Sequence, residues 1–331
     1  MIEQSIVFID NISLKRSITG KIIDIIFRTN LDIIGMKMFV PGKNFIKDFC
    51  LTAKSGLSKN YVRHSYLSKR ILVLVLQGEN AIEKIKYIVG RERKHMKKEY
   101  WHGTTIRGMY FGGSRKANFL KRVYENVVQI PYDKKEASRL INLVWKKYSE
   151  NGNSIKYLKG YEMKPDEERT FIMLKPYAIE QRLAGKIIDD LSRSGLYIVG
   201  AKIVRPKIGQ LKEHYCHLKG KSMSIFRDVV NYMAGIERGK PKQDAKVIHL
   251  VYQGHKGEVT RVIREIIGST DPKKAGIGTI RRSYGKNIRT NVIHASALPE
   301  DTEREIAIWD TDNELLESMI EYKPKIFANF Q

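Results

Sequence analysis

The stretch that decides the fold is "SIVFIDNISLKRSITGKIIDIIFRTNLDIIGMKMFVP", Ser5–Pro41, because the chain contains this pattern twice. The segment "TFIMLKPYAIEQRLAGKIIDDLSRSGLYIVGAKIVRP", Thr170–Pro206, follows it at a constant offset of 165 residues. Self-similarity over such a length is typical of a duplicated structural unit. The sequence therefore predicts two copies of one domain.

The similarity between the copies continues beyond these segments. In the second copy, "VIHLVYQG" corresponds to "ILVLVLQG" of the first, "GTIRRSY" to "TTIRGMY", and "TNVIHAS" to "ENVVQIP". Between the copies, residues 148–168 are polar and low in apolar periodicity. We predict one domain at residues 1–150, a linker at 151–168, a second domain at 169–312 and a C-terminal tail at 313–331.

Each copy has the same order of predicted elements. An apolar strand comes first, followed by an amphipathic helix whose face in the first copy is Ile22, Ile23 and Ile26. Further strands follow, one of them ending in Gln-Gly, and a short strand leads to Gln129 or His294 before a last helix. Strands separated by helices in this way favour an α+β sandwich.

Composition limits the class of protein. With 331 residues, 42% of them apolar, each copy can bury a core. The 60 lysines and arginines against 36 acids give a net charge of +24, which favours polyanionic partners such as nucleotides. Two cysteines exclude a disulfide framework, and the apolar runs are shorter than the roughly 18 residues of a membrane span. We expect a soluble, cytoplasmic protein with no membrane partner.

Six motifs in the second copy carry a resemblance to a known family. They are, in order, "ERTFIMLKP", "EHYCHLKGKS", "REIIGSTDP", "GTIRRSY", "NVIHAS" and "EREIAIW". In this order and spacing they resemble nucleoside diphosphate kinase, and the first copy resembles a diverged member of that family. The resemblance implies two tandem ferredoxin-like α/β sandwich domains with antiparallel four-stranded sheets. It also implies transfer of the γ-phosphate of a nucleoside triphosphate to a diphosphate by a ping-pong mechanism through a phosphohistidine.

The resemblance assigns roles to residues of the second copy. His294 matches the nucleophile, and an imidazole, with an ordinary pKa of about 6.5, suits this chemistry. On its own, a histidine between Ile293 and Ala295 would be read as a core residue. Glu305 matches the carboxylate that orients the ring, and Tyr215 matches the tyrosine beside it. Positions that match the family's contacts to phosphates, ribose and base are Lys175, Arg264, Thr270, Arg281, Asn291, Met223 and Ile288.

The second copy also departs from the family pattern. Met223 stands where a phenylalanine usually stacks on the base, and Thr290 stands where arginine is common. Ala295-Ser296-Ala297 replaces Gly-Ser-Asp. The nucleophile and the phosphate ligands are kept. Mg²⁺ is implied as a cation that the nucleotide phosphates carry in, so we predict no protein metal ligands.

The first copy lacks the catalytic set. Gln129, Asp10, Leu140 and Phe49 stand where the second copy has its nucleophile, lysine, carboxylate and tyrosine. An amide cannot carry a phosphoryl group as imidazole does, and Asp10 would repel a nucleotide. Arg107 and Asn126 are retained, which framework retention explains as well as residual ligand binding does. We predict that this copy is catalytically inactive.

Two functions remain open for the inactive copy. Because related kinases assemble from dimers, the resemblance implies an intramolecular pseudo-dimer, with further homo-oligomerisation left open. Residues 1–150 carry a net charge of +16 against +8 for the remainder, and the segments 91–101 and 112–122 mix cations with aromatic residues. The alternative is therefore a weak pseudo-kinase or scaffold whose basic N-terminal half binds RNA, a ribosome or another acidic partner.

Overall fold

The computed structural model describes residues 2–53, 59–90, 104–110, 127–147, 163–237, 239–241 and 245–309. Most of the predicted linker, the predicted tail, Asn126 and the two basic segments lie outside the described residues. The first half contains β1 (Ile2–Ile9), α1 (Asn11–Lys15), α2 (Thr19–Phe27), β2 (Asp32–Phe39), α3 (Lys43–Thr52), α4 (Lys59–Tyr66), β3 (Ile71–Glu79), α5 (Ala81–Val89), α6 (Ile106–Tyr110), β4 (Val128–Gln129) and α7 (Lys134–Asn142), which continues as a π-helical turn, Leu143–Lys147.

The second half repeats this order. It contains β5 (Glu167–Leu174), α8 (Pro176–Glu180), α9 (Ala184–Leu191), a 3₁₀ turn (Ser192–Ser194), β6 (Tyr197–Val204), α10 (Ile208–His214), a second 3₁₀ turn (Cys216–Leu218), α11 (Met223–Met233), the hairpin strands β7 (Ile236–Glu237) and β8 (Lys240–Pro241), β9 (Val247–His255), α12 (Val259–Ile267), α13 (Ile280–Tyr284), β10 (Ile293–Ala295) and α14 (Pro299–Trp309).

The two halves share one sheet. Its strand order is β10-β5-β9-β6-β2-β3-β1-β4, so each half contributes four strands, and every neighbouring pair is antiparallel. This confirms the predicted α+β class. The sequence analysis gave each copy a sheet of its own, whereas in the structure the two are continuous through β2 and β6, at the pair Lys37 and Lys202.

The duplication is visible in the backbone as well as in the sequence. The pairing of β2 with β3 is irregular between Ile33 and Gly35, and the pairing of β6 with β9 is irregular between Ile198 and Gly200. These positions are 165 residues apart, the offset of the sequence repeat. A bulge twists a strand locally, so both copies keep the same local twist in their second strand.

Both faces of the sheet are covered, which explains why the central strands are apolar without alternation. Residues 71–76 of β3 and 247–252 of β9 are buried throughout. One apolar core extends over both halves, and a second lies between the sheet and α10, α11 and α14. The second core brings α10 and α14 together beside the strand that bears His294.

Helices α2 and α9 cross where each has a glycine. A Cβ atom on Gly20 would lie 2.2 Å from the backbone nitrogen of Asp189, and one on Gly185 would lie 2.3 Å from that of Asp24. Backbone atoms cannot yield as side chains can, so the crossing requires glycine at both positions. Arg182 adds a hydrogen bond between the halves, from Nη1 to the Phe27 carbonyl at 2.8 Å. The two copies therefore face each other through equivalent elements.

Within the described residues, the structure contains no helix with the length and hydropathy needed to cross a bilayer.

Candidate active site

His294 lies on β10, a three-residue strand at the edge of the sheet. It pairs with Met173 of β5, and its side chain is 17% exposed. The ring Nε2 lies 3.0 and 3.1 Å from the two carboxylate oxygens of Glu305. Because an ionised carboxylate can only accept, Nε2 is the donor in this contact, and in the neutral ring the lone pair is then on Nδ1.

Glu305 is held in place by several partners. It lies on α14 and is 2% exposed, and the Ser296 hydroxyl donates to Oε2 at 2.8 Å. Burial by itself would raise the pKa of this carboxyl, but the charge and hydrogen bond of His294, with His214 and Ser296, lower it below its ordinary value. The carboxylate is therefore ionised near neutral pH and orients the imidazole.

His214 and Tyr215 approach His294 from the end of α10. Their ring centroids lie 4.6 and 6.0 Å from that of His294. Tyr215 is 4% exposed, and burial, followed by the charge of Glu305, raises the pKa of its phenol. The Tyr215 phenol is therefore protonated near neutral pH, and its ring lies close to that of His294.

Two cations are attached to the backbone that leads into His294. The backbone N–H of Lys175 donates to the Val292 carbonyl at 2.9 Å, and Arg281 Nη2 donates to the Ile293 carbonyl at 3.0 Å. Burial, and then the charge of Arg281, lowers the pKa of the Lys175 amine to about 7. Burial, and then the charge of Arg264, lowers the pKa of Arg281 to about 10. Clustered cations that destabilise one another favour binding of an anion.

The predicted ribose and base contacts lie on two neighbouring segments. Asn291 is buried, and its Nδ2 donates to the Thr270 carbonyl at 2.9 Å. Met223, 47% exposed, begins α11, and Ile288, 59% exposed, lies in the loop after α13. Arg289 of that loop reaches Asp228 of α11 with an Nη1–Oδ1 distance of 3.2 Å. The ion pair joins the segments on which the two predicted base contacts lie.

The same framework exists in the first half without its chemistry. Gln129 pairs with Phe8 as His294 pairs with Met173. Arg107 donates to the Gly90 and Val128 carbonyls, just as Arg281 donates to those of Gly268 and Ile293. The structure therefore places Gln129 at the position equivalent to His294.

Asp10 occupies the position equivalent to Lys175, and its backbone N–H donates to the Val127 carbonyl at 3.1 Å. Its side chain is buried and accepts a 2.5 Å hydrogen bond from the Tyr61 hydroxyl of α4. Burial raises the pKa of Asp10 to about 7, against the opposing effect of that hydrogen bond. The rings of Phe8, Phe49 and Tyr66 pack beside one another, with centroids 5.1 to 6.4 Å apart. The first half thus has an acid, Asp10, in place of Lys175 and an amide, Gln129, in place of the His294 imidazole, while Arg107 keeps the position of Arg281.

Sequence reasoning missed three residues that support the site. Ser296 was read only as part of a changed motif, yet it is the hydroxyl partner of Glu305. His214 stands in "EHYCHLKGKS" directly before Tyr215, and Trp309 ends "EREIAIW" four residues after Glu305. Residues four apart share one face of a helix, and this spacing was the signal that could have identified Trp309.

Among the described residues, His214, His294 and Glu305 form a group whose potential metal-ligand atoms lie within 4.8 Å of one another. Two imidazoles and one carboxylate suit a transition metal, whereas Mg²⁺ prefers oxygen ligands and keeps several waters. This group therefore does not fit the Mg²⁺ that the resemblance implies. Its atoms are those that orient the nucleophile.

Comparison with known proteins agrees with this arrangement. The family model described as "Nucleoside diphosphate kinase" matches residues 3–149 and again residues 168–315. This chain belongs to the nucleoside diphosphate kinase family. The two matches confirm the tandem duplication.

Members of the family are similar to one half of the chain at a time. A nucleoside diphosphate kinase of Encephalitozoon cuniculi is 38% identical over 146 residues, which is 44% of this chain and 90% of that protein. One from Staphylococcus epidermidis is 34% identical over 148 residues, 45% of this chain and 91% of that protein.

Two solved structures match a similar share of the chain. The crystal structure of the Encephalitozoon cuniculi nucleoside diphosphate kinase, an apo cubic form, has a TM-score of 0.38 at 38% identity and covers 44% of this chain and 90% of its own. A nucleoside diphosphate kinase family protein from Babesia bovis has a TM-score of 0.36 at 30% identity, with coverage of 43% and 87%.

Proposed function

We propose that residues 169–312 form a nucleoside diphosphate kinase domain that transfers the γ-phosphate of a nucleoside triphosphate to a nucleoside diphosphate through phospho-His294. One observation carries this proposal. Glu305 holds Nε2 of His294, which leaves Nδ1 of the neutral ring available, and the two carbonyls before His294 accept hydrogen bonds from the Lys175 backbone N–H and the Arg281 guanidinium. An oriented, partly exposed imidazole beside anion-attracting groups is suited to accept a phosphoryl group.

In the first half-reaction the Nδ1 lone pair of His294 forms a bond to the γ-phosphorus. The bond from that phosphorus to the β–γ bridging oxygen breaks, and the diphosphate leaves with the electron pair. The N-phosphorylated ring, still protonated at Nε2, is cationic, and the ionised Glu305 stabilises it. In the second half-reaction a terminal oxygen of the acceptor diphosphate attacks the same phosphorus and regenerates His294.

The remaining predicted residues bind and orient the nucleotide. Lys175, Arg281 and Arg264 stabilise the negative charge that spreads over the transferred oxygens. The Tyr215 hydroxyl lies beside the reacting ring. Ribose and phosphate contacts come from Thr270 and Asn291, and the base lies between Met223 and Ile288. Without a planar aromatic residue at Met223, stacking on the base is weaker and preference among bases is small.

Mg²⁺ enters this scheme as part of the substrate, bound to the triphosphate. When bound there it neutralises phosphate charge and orients the phosphates for attack. Hydroxyl and amide groups of the protein then contact ribose and phosphates.

The first domain, residues 1–150, contributes no reacting group in this proposal. Its Gln129 and its buried Asp10 replace the nucleophile and the phosphate lysine. Its role is that of an intramolecular dimer partner, which completes the sheet through β2 and covers α9 with α2. Residues 151–168 connect it to the kinase domain.

Steady-state kinetics of the full chain test the proposal. Phosphate transfer from ATP to a second nucleoside diphosphate, measured while both substrates vary, should give the parallel double-reciprocal lines of a ping-pong mechanism. His294→Asn should abolish transfer, and His255→Asn, a matched change of a histidine at the far end of β9, should leave it unchanged. Intersecting lines, or activity that survives in His294→Asn, would rule the proposal out.

A further inference from the structure

We propose that Trp309 and His214 act together as positioning residues: the indole N–H of Trp309 fixes His214 in the tautomer that cannot donate to Glu305, and so reserves that carboxylate for His294. This inference rests on the proposed function, since it concerns the orientation of the nucleophile. It assigns a role to two residues that make no contact with the transferred group in the scheme above.

The geometry begins with the spacing on α14. Glu305 and Trp309 are four residues apart and both are buried, so one helical face presents the carboxylate to His294 and the indole to His214. Trp309 Nε1 lies 3.3 Å from His214 Nδ1. An indole nitrogen can only donate. His214 Nδ1 is therefore an acceptor, and the single ring proton of His214 lies on Nε2.

The tautomer matters because Glu305 is close. His214 Nδ1 lies 4.0 Å from Glu305 Oε1, the oxygen that His294 Nε2 contacts at 3.0 Å. A His214 ring protonated at Nδ1 would need to move by only about 1 Å to donate to that oxygen. It would then compete with the nucleophile for its orienting partner. The Trp309 N–H occupies Nδ1 and prevents this competition.

The surroundings also keep His214 uncharged. The ring is fully buried, and burial, followed by the charge of His294, lowers its pKa well below the ordinary value. The charged or titratable groups near it include His294, Glu305, His249, Arg304 and Tyr215. A neutral His214 ring does not compete for the negative charge of Glu305. That carboxylate is then the counter-charge of only one group, the cationic, phosphorylated His294.

Trp309 itself is firmly anchored. Its carbonyl accepts a hydrogen bond from Lys202 Nζ, and the preceding carbonyl, of Ile308, accepts one from Gln210 Nε2 at 3.2 Å. The His249 ring packs against the indole, with a distance of 4.6 Å between the two ring centroids. The end of α14 is thus held to β6, α10 and β9, which gives the indole N–H a defined direction.

A double-mutant comparison on the full chain tests this role. Trp309→Phe keeps an aromatic ring but removes the N–H, and should lower kcat for phosphoryl transfer about 10-fold or more, with KM for nucleotide little changed. His214→Phe added to it removes the competing donor and should recover most of that loss. Trp145→Phe, a buried tryptophan of the first half, is the matched control and should not alter kcat. If the fold-loss of kcat in the double variant equals the product of the fold-losses in the two single variants, the proposal is overturned.

The tautomer can be read directly, without activity. In ¹⁵N-histidine-labelled protein, long-range ¹H–¹⁵N spectra should show His214 protonated at Nε2 and unprotonated at Nδ1 between pH 6 and 8, with the proton moving to Nδ1 in Trp309→Phe. An Nδ1–H tautomer in the wild type would refute the inference. If the wild type is never phosphorylated at His294, the proposed function fails, while this measurement still decides the tautomer.

Discussion

Lys175 and Asp10 show how one residue changes the chemistry of a repeated position. Both follow the first strand of their copy. The backbone N–H of Lys175 donates to the Val292 carbonyl, two residues before His294, and that of Asp10 donates to the Val127 carbonyl, two residues before Gln129. Both side chains are buried, which makes ionisation costly for each. Asp10 Oδ2 accepts a hydrogen bond from the Tyr61 hydroxyl, whereas Lys175 has the like charge of Arg281 near it. In the proposed function a nucleotide phosphate would supply the counter-charge for Lys175.

Replacing Lys175 by methionine should separate stability from function. The pKa of Lys175 is about 7 in the folded protein, below its ordinary 10.5, so the unfolded chain binds a proton at this amine more tightly than the folded protein does. This difference lowers the free energy of unfolding at pH 7. Lys175→Met should raise the free energy of unfolding by on the order of 1–3 kcal/mol at pH 7 and abolish phosphorylation of His294.

The pH dependence of that gain follows from the direction of the pKa shift. The increase in the free energy of unfolding caused by Lys175→Met should be constant below pH 7, become smaller as the pH rises and vanish near pH 10.5. Denaturant unfolding of both proteins across this range measures it, with Lys186→Met, an exposed lysine on α9, as the control. A gain that grows with pH would contradict the assignment.

At the scale of elements, most of the fold could be predicted. The repeat and its hydrophobic periodicity located the first strand and the amphipathic helix of each copy, the strand that ends in Gln-Gly, and the short strands at Gln129 and His294. The register of those edge strands then shows that Gln129 and His294 are equivalent, as the sequence comparison predicted.

The remainder could not be predicted because it depends on contacts between distant segments. Tyr61 of α4 reaches Asp10 across 51 residues, and nothing in the local pattern of α4 indicates it. The sheet is continuous because Lys37 of β2 pairs with Lys202 of β6. The sequence of either copy alone does not indicate that these two lysines lie opposite each other.

The crossing of α2 and α9 gives a test at this scale. Gly20→Ala would place a Cβ atom 2.2 Å from the backbone nitrogen of Asp189. We expect a loss of about 2–3 kcal/mol in the free energy of unfolding, because the helices must separate. Gly209→Ala on α10 meets nothing within 4 Å and should be neutral or stabilise by up to about 1 kcal/mol. Equal effects of the two changes, measured by denaturant unfolding, would argue against close packing at the crossing.

At the scale of the whole molecule, one eight-stranded sheet carries one copy of the predicted catalytic set. We therefore expect the full chain to bind one nucleotide per molecule in calorimetry, since the first half offers Asp10 and Gln129 in place of Lys175 and His294. Gln129→His should add no second phosphorylation, because it restores neither the lysine nor the orienting carboxylate. Two nucleotides per chain, or a phosphate on residue 129 of that variant, would show that the first half retains a site.

The most direct test of the central claim is the phosphate content of the protein itself. Full-length chain incubated with γ-labelled ATP and Mg²⁺, then separated from nucleotide, should carry close to one acid-labile phosphate per molecule on His294. Added nucleoside diphosphate should remove it as labelled triphosphate, and His294→Asn should carry none. A wild-type protein that stays unlabelled, or a label that persists in His294→Asn, would contradict the account.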